Sequence, residues 1–305
     1  MRYGLPYKGS KSGIAEWVVA HLPAANVLVD VFAGGCAVTH CALLSGKYEH
    51  VVANDLTDAP GVFRAACEGE FDGFSIVPDK GQFHQLKSED EALAILYSFG
   101  NDKESYLWGA SERVKVEASR MLSAPSLHER RMHYRKFIQA LREEGVPSGD
   151  KSHVGCLERL QGLEGLERLQ GLERLEGLER LQGLERLQGL ERLERLYVSR
   201  LDYRMVPVPV GGVVYADPPY VGTSASGYAA FDYGEYVEWL GSVPFPVIGS
   251  GYEVPDGCVE VDRKPKRVTM AASSNGKTRD ELLYVQERYL DAVEWPVGYE
   301  PKRNC

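Results

Sequence analysis

The feature that most constrains the fold is an apolar run that ends in a glycine turn and continues into a helix. Residues 27–31 read Val-Leu-Val-Asp-Val, the turn contains Gly34 and Gly35, and the pattern over 37–44 predicts a helix. A strand, a tight turn and a helix N-terminus in this order are typical of an open α/β sheet. The turn is not G-x-G-x-x-G, so it lacks a phosphate cradle and favours a nucleoside ligand over a pyrophosphate.

A second apolar run ends in the tetrapeptide Asp217-Pro218-Pro219-Tyr220. The run at 213–215 reads as a buried parallel strand, so the tetrapeptide lies at a carboxyl end, where such sheets bind ligands. The prolines fix φ and remove two donors. Asp217 and the Pro218 carbonyl can therefore accept both N–H bonds of a nucleobase amine while Tyr220 stacks on the flipped base. The plainer interpretation is a turn after a strand, which Asp and Pro also favour.

Two charged residues accompany these motifs. Asp55 ends the apolar run at 51–55, about 20 residues after the glycine turn, where such folds bind ribose hydroxyls. A helix N-cap is the alternative role for Asp55. Lys11 closes the segment Tyr7-Lys8-Gly9-Ser10-Lys11, ahead of a helix predicted at 13–22. It either pairs with a carboxylate or is an ordinary solvated lysine.

Together these segments resemble the Dam-like adenine-N6 DNA methyltransferases. Residues 7–11, 30–35, 54–55 and 217–220 carry the resemblance, and their order matches the α group of that family. The resemblance implies site-specific transfer of a methyl group from S-adenosylmethionine (AdoMet) to N6 of a flipped adenine in double-stranded DNA. The alternatives are cytosine-N4 methylation, methylation of RNA or of a protein glutamine amide, and a non-catalytic DNA-binding or scaffold protein with a methyltransferase-like core.

The resemblance also assigns roles to residues. Lys11 is expected to contact the AdoMet carboxylate and Asp55 the ribose, while Phe32, Gly34 and Gly35 line the cofactor. The full predicted cofactor site is Tyr7, Lys11, Asp30, Phe32, Gly34, Gly35 and Asp55, and the predicted catalytic group is Asp217, Pro218, Pro219 and Tyr220. Cys36 departs from the family pattern, in which many members have a third glycine. No metal site is expected.

The expected fold is a Rossmann-like α/β methyltransferase domain with a seven-stranded mixed sheet. Residues 246–249 follow a helix at 233–240 and predict the next parallel strand, and 259–261 with 282–286 predict a closing antiparallel pair. The predicted AdoMet-binding catalytic core comprises residues 1–110 and 200–305. Residues 111–199 form the predicted insertion for target recognition.

The net charge of −9 is unusual for a DNA-binding protein, because neutralisation of phosphates supplies much of the affinity. Basic residues are nevertheless concentrated between positions 112 and 142, where the sequence has eight basic and three acidic residues. Such a stretch is either a solvated helix face or a DNA contact. The predicted DNA-binding residues are Arg113, Lys115, Arg130, Arg131, Arg135, Lys136 and Lys277.

Residues 157–196 form a leucine repeat, with Leu at every third position, fourteen times in all. On an α-helix the leucines would spiral around the whole cylinder, whereas on a 3₁₀-helix they form one stripe. We therefore favour a 3₁₀-like rod of roughly 80 Å that spaces the recognition elements. A solenoid, and a slippage expansion that is merely tolerated, are the alternatives.

The composition fits a cytoplasmic enzyme. The 305 residues, 44% hydrophobic, can bury a full core, and no run approaches the roughly 18 apolar residues of a membrane span. The N-terminus lacks a secretory signal pattern, and the six cysteines form no C-x-x-C pair, so free thiols are expected. We expect a monomer in a bacterial or phage-infected cell, without an evident partner endonuclease.

Overall fold

The computed structural model describes residues 3–5, 7–68, 77–109, 112–124, 126–143, 193–220, 231–267 and 278–296. The chain divides into two compact units. Unit 1 combines Met1–Arg64 with Leu190–Cys305, and unit 2 is Ala65–Gly189. The predicted core reached to residue 110, so its part after Arg64 lies in unit 2. The assignment of function to each of the two regions stays a prediction.

Unit 1 is built on a seven-stranded mixed sheet, which confirms the predicted sheet. The strands are β1 Val27–Asp30, β2 His50–Asn54, β3 Leu196–Ser199, β4 Val213–Ala216, β5 Val247–Gly251, β6 Cys258–Arg267 and β7 Thr278–Gln286. Their order is β3-β2-β1-β4-β5-β7-β6. The first five strands in this order run parallel, and β7 pairs antiparallel with both β5 and β6.

Burial explains which apolar runs became strands. All four residues of β4 and all five of β5 are buried, as expected for parallel strands covered on both faces. The closing pair is longer than predicted, because β6 continues through Asp262, Lys264 and Pro265. Charged residues and a proline are typical of an edge strand, and β6 is the edge of the sheet.

The described helices lie in both units. They are α1 Ala15–His21, α2 Ala37–Ser45, α3 Ala59–Glu68, α4 Lys80–Leu86, α5 Glu91–Leu96, α6 Glu112–Ser123, α7 Leu127–Glu143 and α8 Tyr233–Ser242. The predicted helices at 13–22, 37–44 and 233–240 correspond to α1, α2 and α8. None of the described helices is long and apolar enough to cross a membrane.

An aromatic cluster packs α8 against the sheet in unit 1. Tyr236 and Trp239 of α8 pack with Tyr203, and the Tyr236 hydroxyl lies 3.1 Å from the hydroxyl of Tyr284 on β7. Gly249 of β5 leaves the space for this ring, since a Cβ there would lie 2.1 Å from Tyr284.

In unit 2, local caps define the short helices. Asp79 and Gln82 form a capping box at the start of α4, and Asp90 caps α5. Helices α6 and α7 pack against each other. Arg120 of α6 is partly buried and donates to the Val77 carbonyl and to Gln82, so this member of the basic stretch has a structural role.

Most of the leucine repeat lies outside the described residues, so its predicted rod stays a prediction. Its last residues are described: Leu193–Arg195 form a single 3₁₀ turn, and Leu196 begins β3. Four cysteines are described, and all are free thiols as predicted, namely Cys36, Cys41, Cys67 and Cys258. The other two, Cys156 and Cys305, lie outside the described residues.

Candidate active site

The candidate site lies in unit 1, where the parallel strands end. Asp30 is the last residue of β1, Asp55 follows β2, Asp217 follows β4, and Ser250 lies near the end of β5. Strand β7 runs antiparallel to β5, with Gly251 opposite Leu282, so its first residues reach the same edge. The topology therefore brings acidic and polar side chains from distant parts of the chain together.

The Asp217 carboxylate accepts hydrogen bonds from Lys11 and Ser250. Lys11 Nζ donates to both carboxylate oxygens at 2.6 Å, and Ser250 Oγ donates to Oδ1 at 3.0 Å. The Tyr215 hydroxyl lies 2.7 Å from Ser250 Oγ and donates to it, because Ser250 gives its own proton to Asp217. Asp217 remains partly exposed, whereas Pro218 behind it is buried. The arrangement fixes an anionic acceptor at the opening of the site.

Tyr220 is fixed through both its hydroxyl and its ring. The hydroxyl donates to Glu281 Oε1 at 2.6 Å and accepts from Lys11. Burial, followed by the charges of Asp217 and Glu281, raises the pKa of Tyr220, so the phenol stays protonated. The ring lies 4.4 Å, centroid to centroid, from Tyr252, on which the Arg279 guanidinium rests at 4.0 Å. Tyr252 therefore occupies one face of the tyrosine that we expect to stack on a base.

Lys11 is not an ordinary solvated lysine. Its side chain is 3% exposed and forms ion pairs with Asp217 at 2.6 Å and with Glu281 at 3.2 Å. Burial on its own would lower the pKa of the ammonium, but these two carboxylates outweigh it and raise the pKa above its ordinary value. Lys11 is therefore charged, and two acids share this one buried cation.

The glycine turn packs under the N-terminal segment. A Cβ on Gly35 would lie 2.5 Å from Cβ of Tyr7 and 2.9 Å from the Leu5 carbonyl, so only glycine fits. Gly34 has φ +47°, with the Tyr7 ring directly over it. Cys36, where the related enzymes often have glycine, also has a positive φ of 60°. Backbone conformation thus explains the preference for glycine there, at a strain of roughly 1–2 kcal/mol for cysteine.

Asp55 connects the turn to the end of β2. Its Oδ2 accepts from the Gly34 amide at 2.9 Å, and its Oδ1 accepts from the amide and hydroxyl of Thr57 at 2.9 and 2.7 Å. Asp55 is 3% exposed. Helix α3 begins only at Ala59, so the alternative role as a helix N-cap does not apply. The carboxylate is oriented beside the glycine turn, as a ribose-binding group would be.

Asp30 is a buried acid with an incomplete set of partners. Thr39 Oγ1 of α2 donates to Oδ2 at 2.8 Å, while Oδ1 is buried without a hydrogen-bond partner among the described residues. Burial raises its pKa to about 7, assisted by the charges of Asp217 and Asp55. Phe32 lies two residues after Asp30. Its half-buried ring packs against the ring of Tyr203, with 4.9 Å between the two centroids. It forms an apolar wall beside the strand end.

The predicted DNA-binding residues differ in exposure within unit 2. Arg113 is ion-paired with Glu143, Lys115 is half-buried, and Arg130 is half-buried with a bond to the Ala124 carbonyl. On α7 the exposed ones are Arg131, Arg135 and Lys136, and Arg113 of α6 is exposed as well. Arg131 and Arg135 are four residues apart and share a helix face, whereas Lys136 points about 100° away from Arg135. Lys277 lies outside the described residues.

The sequence analysis missed four residues of the site, which are Tyr215, Ser250, Tyr252 and Glu281. Ser250 had a usable signal, because it directly follows the strand predicted at 246–249. Glu281 had one too: it is an acid immediately before the apolar run at 282–286. Within the described residues, no group of three or more His, Cys, Asp or Glu side chains is placed to hold a metal ion.

A seven-stranded mixed sheet with a glycine turn and an oriented carboxylate at its carboxyl edge is an α/β fold consistent with a methyltransferase. Residues 7–74 match a family described as D12 class N6 adenine-specific DNA methyltransferase. The matched stretch contains Lys11, the glycine turn and Asp55, and it ends far before Asp217. The match supports an adenine-specific DNA methyltransferase enzyme, and with it methylation of adenine in DNA. No curated protein matches the chain.

Proposed function

We propose that this protein is a Dam-like, AdoMet-dependent enzyme that methylates N6 of an adenine flipped out of double-stranded DNA. The observation that carries the proposal is the Asp217 carboxylate, oriented by Ser250 and Lys11 at the end of β4 and flanked by Tyr220. This group can accept an exocyclic N–H bond while the tyrosine ring lies beside the base. The proposal assigns the catalytic role to Asp217, Pro218, Pro219 and Tyr220.

The chemistry of the strand ends fits AdoMet. The Gly34-Gly35 turn admits close approach of a ligand, and Asp55 beside it has the oxygens that ribose hydroxyls need. Asp30 has a buried oxygen without a partner among the described residues. Two carboxylates, Asp217 and Glu281, share the single cation of Lys11, so a positively charged ligand is electrostatically favoured. Tyr7 and Phe32 complete the proposed cofactor site. The contact of Lys11 with the AdoMet carboxylate stays a prediction, because its ammonium is paired with Asp217 and Glu281.

The proposed reaction is a direct transfer. When bound, AdoMet would supply a methyl carbon on a sulfonium: the N–C bond would form as the C–S bond breaks, the sulfur would keep the electron pair, and the amine would release one proton to solvent. Asp217 and the Pro218 carbonyl accept the two N–H bonds and orient the nitrogen lone pair. Asp217 also stabilises the positive charge that develops on the amine. The chain contributes orientation and electrostatics, and no covalent enzyme intermediate is needed.

The proposed DNA contacts are the exposed cations Arg113, Arg131, Arg135 and Lys136, the half-buried cations Lys115 and Arg130, and Lys277. The proposed role of the leucine repeat is to space these recognition elements. The proposal places the enzyme as a monomer in the cytoplasm of a bacterial or phage-infected cell. The proposed enzyme is a solitary methyltransferase, without an evident partner endonuclease.

The reaction is tested by incubating the protein with duplex DNA and methyl-labelled AdoMet, then digesting the DNA and identifying the labelled nucleoside. N6-methyladenine is the expected product. N4-methylcytosine would replace the proposal by its closest alternative, and unlabelled DNA without AdoMet binding would favour the non-catalytic scaffold. Asp217→Ala should abolish turnover and retain AdoMet binding, whereas Asp256→Asn, an exposed acid outside the site, should behave as wild type.

A further inference from the structure

Glu281 is a buried acid that the proposed reaction does not use. It lies on β7 immediately before Leu282 and Leu283, and its side chain is fully buried. A carboxylate with no exposure is strongly unfavourable unless it is paired and hydrogen-bonded. Its partners therefore indicate what it does.

Lys11 and Tyr220, which contact Glu281, also contact Asp217. Tyr220 donates its hydroxyl to Glu281 Oε1 at 2.6 Å, and the same hydroxyl lies 3.2 Å from Asp217 Oδ1. Lys11 Nζ lies 3.2 Å from Glu281 Oε1 and 2.6 Å from both oxygens of Asp217. The two carboxylates thus share one ammonium and one phenol, and the ammonium is closer to Asp217.

As long as Lys11 is bound to Asp217, this carboxylate cannot accept the N–H bond of the target amine as proposed. The ammonium occupies an acceptor site on each carboxylate oxygen, and its charge opposes the positive charge that develops on the target amine. Lys11 must therefore move away from Asp217 when the amine arrives. Inside a buried cluster, an ammonium without an anionic partner is unfavourable. Glu281, already 3.2 Å away, is the acid that can receive it.

We propose that Glu281 is a positioning residue that takes the Lys11 ammonium from Asp217 when the target amine enters, while it keeps the Tyr220 hydroxyl fixed. It touches neither the base nor the methyl donor. The inference rests on the proposed function, in which the Asp217 carboxylate accepts an N–H bond of the target amine. Glu281 is the residue that frees this carboxylate from Lys11. Lys11 donates to the two Asp217 oxygens, one of which the proposal assigns to the target amine.

The test is a double-mutant cycle on the full chain, with duplex DNA and AdoMet both saturating. Glu281→Gln keeps an acceptor for the Tyr220 hydroxyl and removes the charge that receives Lys11. The single-turnover rate should fall roughly 10- to 100-fold, the range expected when reacting groups are displaced by about 1 Å. In a Lys11→Met background, where no ammonium needs to be received, the same substitution should cost only a few-fold.

This non-additivity distinguishes a positioning role of Glu281 from a role in stabilising the fold. If Glu281 only stabilised the fold, Glu281→Gln would lower the rate by the same factor in both backgrounds. Additive losses, or a wild-type rate in Glu281→Gln, would overturn the inference and leave the proposed function standing. A wild-type protein that leaves adenine unmethylated overturns both. Glu260→Gln on β6, whose carboxylate binds Arg263, is the matched control and should retain the wild-type rate. Should Glu281→Gln unfold in thermal melts, Glu281→Asp, which withdraws the charge by one methylene, takes its place in the cycle.

Discussion

Replacing Asp30 by Asn should change how the stability of this protein depends on pH. Asp30 is 1% exposed, and Thr39 is its single hydrogen-bonding side chain among the described residues. Burial raises its pKa from an ordinary value of 3.8 to about 7, with a further rise from the charges of Asp217 and Asp55. The folded protein therefore holds this proton more tightly than the unfolded chain does.

The sign and size of the effect follow from that difference. An acid whose pKa is raised by folding contributes stability below its ordinary pKa, and this contribution is lost as the pH rises through the folded-state value near 7. Between about pH 5 and pH 8, ionisation of Asp30 should remove roughly 3 kcal/mol from the free energy of unfolding. Asn cannot ionise. Relative to wild type, the free energy of unfolding of Asp30→Asn should therefore increase by about 3 kcal/mol between pH 5 and pH 8.

Wild type alone would not reveal this effect, because His40 acts in the opposite direction. Burial lowers its pKa to about 4, so its stabilising contribution appears as the pH rises through its ordinary value of 6.5. His40 is present in both proteins, so its contribution cancels when the free energy of unfolding of wild type is subtracted from that of Asp30→Asn. Urea unfolding at pH 5 and pH 8 measures this difference, with Asp256→Asn as an exposed control that should unfold like wild type at each pH. A difference between Asp30→Asn and wild type that is the same at both pH values would refute a buried, titrating Asp30.

Two further predictions concern DNA. Arg279 is exposed, and its guanidinium is stacked on Tyr252 beside Tyr220. Arg279→Ala should therefore weaken DNA binding and lower the slope of log affinity against log salt by about one. The same slope for Arg279→Ala and for the control Arg263→Ala would contradict a phosphate contact. Deleting two triplets of the leucine repeat should shift DNA affinity or site choice without changing AdoMet binding, since it shortens a 3₁₀ rod by roughly 12 Å and keeps its stripe in phase. A two-residue deletion should be more damaging, and equal damage from both deletions would contradict three residues per turn.

The sequence predicted the centre of the fold well because burial there is simple. Strands β1, β2, β4 and β5 are apolar runs that end at Gly or Asp, and the structure places each within about two residues of its predicted position. Strand β3 was not predicted. It begins at Leu196, the last leucine of the repeat, so the period-three pattern obscured the start of a strand. The edge strand β6 was predicted too short, because its charged residues carry no apolar alternation.

The site was predictable as a set of motifs but not as a network. Lys11 and Asp217 are 206 positions apart, and nothing in either segment indicates that the ammonium contacts this carboxylate rather than solvent. Glu281 joins them only because β7 runs antiparallel to β5 and returns to the same edge. Pairings of this kind depend on the strand order, which a motif does not contain.

The position of the acids resolves the apparent conflict between a net charge of −9 and a polyanionic substrate. Asp30, Asp55 and Glu281 are each no more than 3% exposed. Glu281 and Asp217 both pair with the buried ammonium of Lys11. A phosphate would be repelled from this edge, whereas a neutral base and a sulfonium would not. In the same unit, Arg279 of β7 is exposed, and its guanidinium rests on the ring of Tyr252. The charge distribution therefore favours a DNA strand that stays outside the site while one base, detached from the stack, enters it.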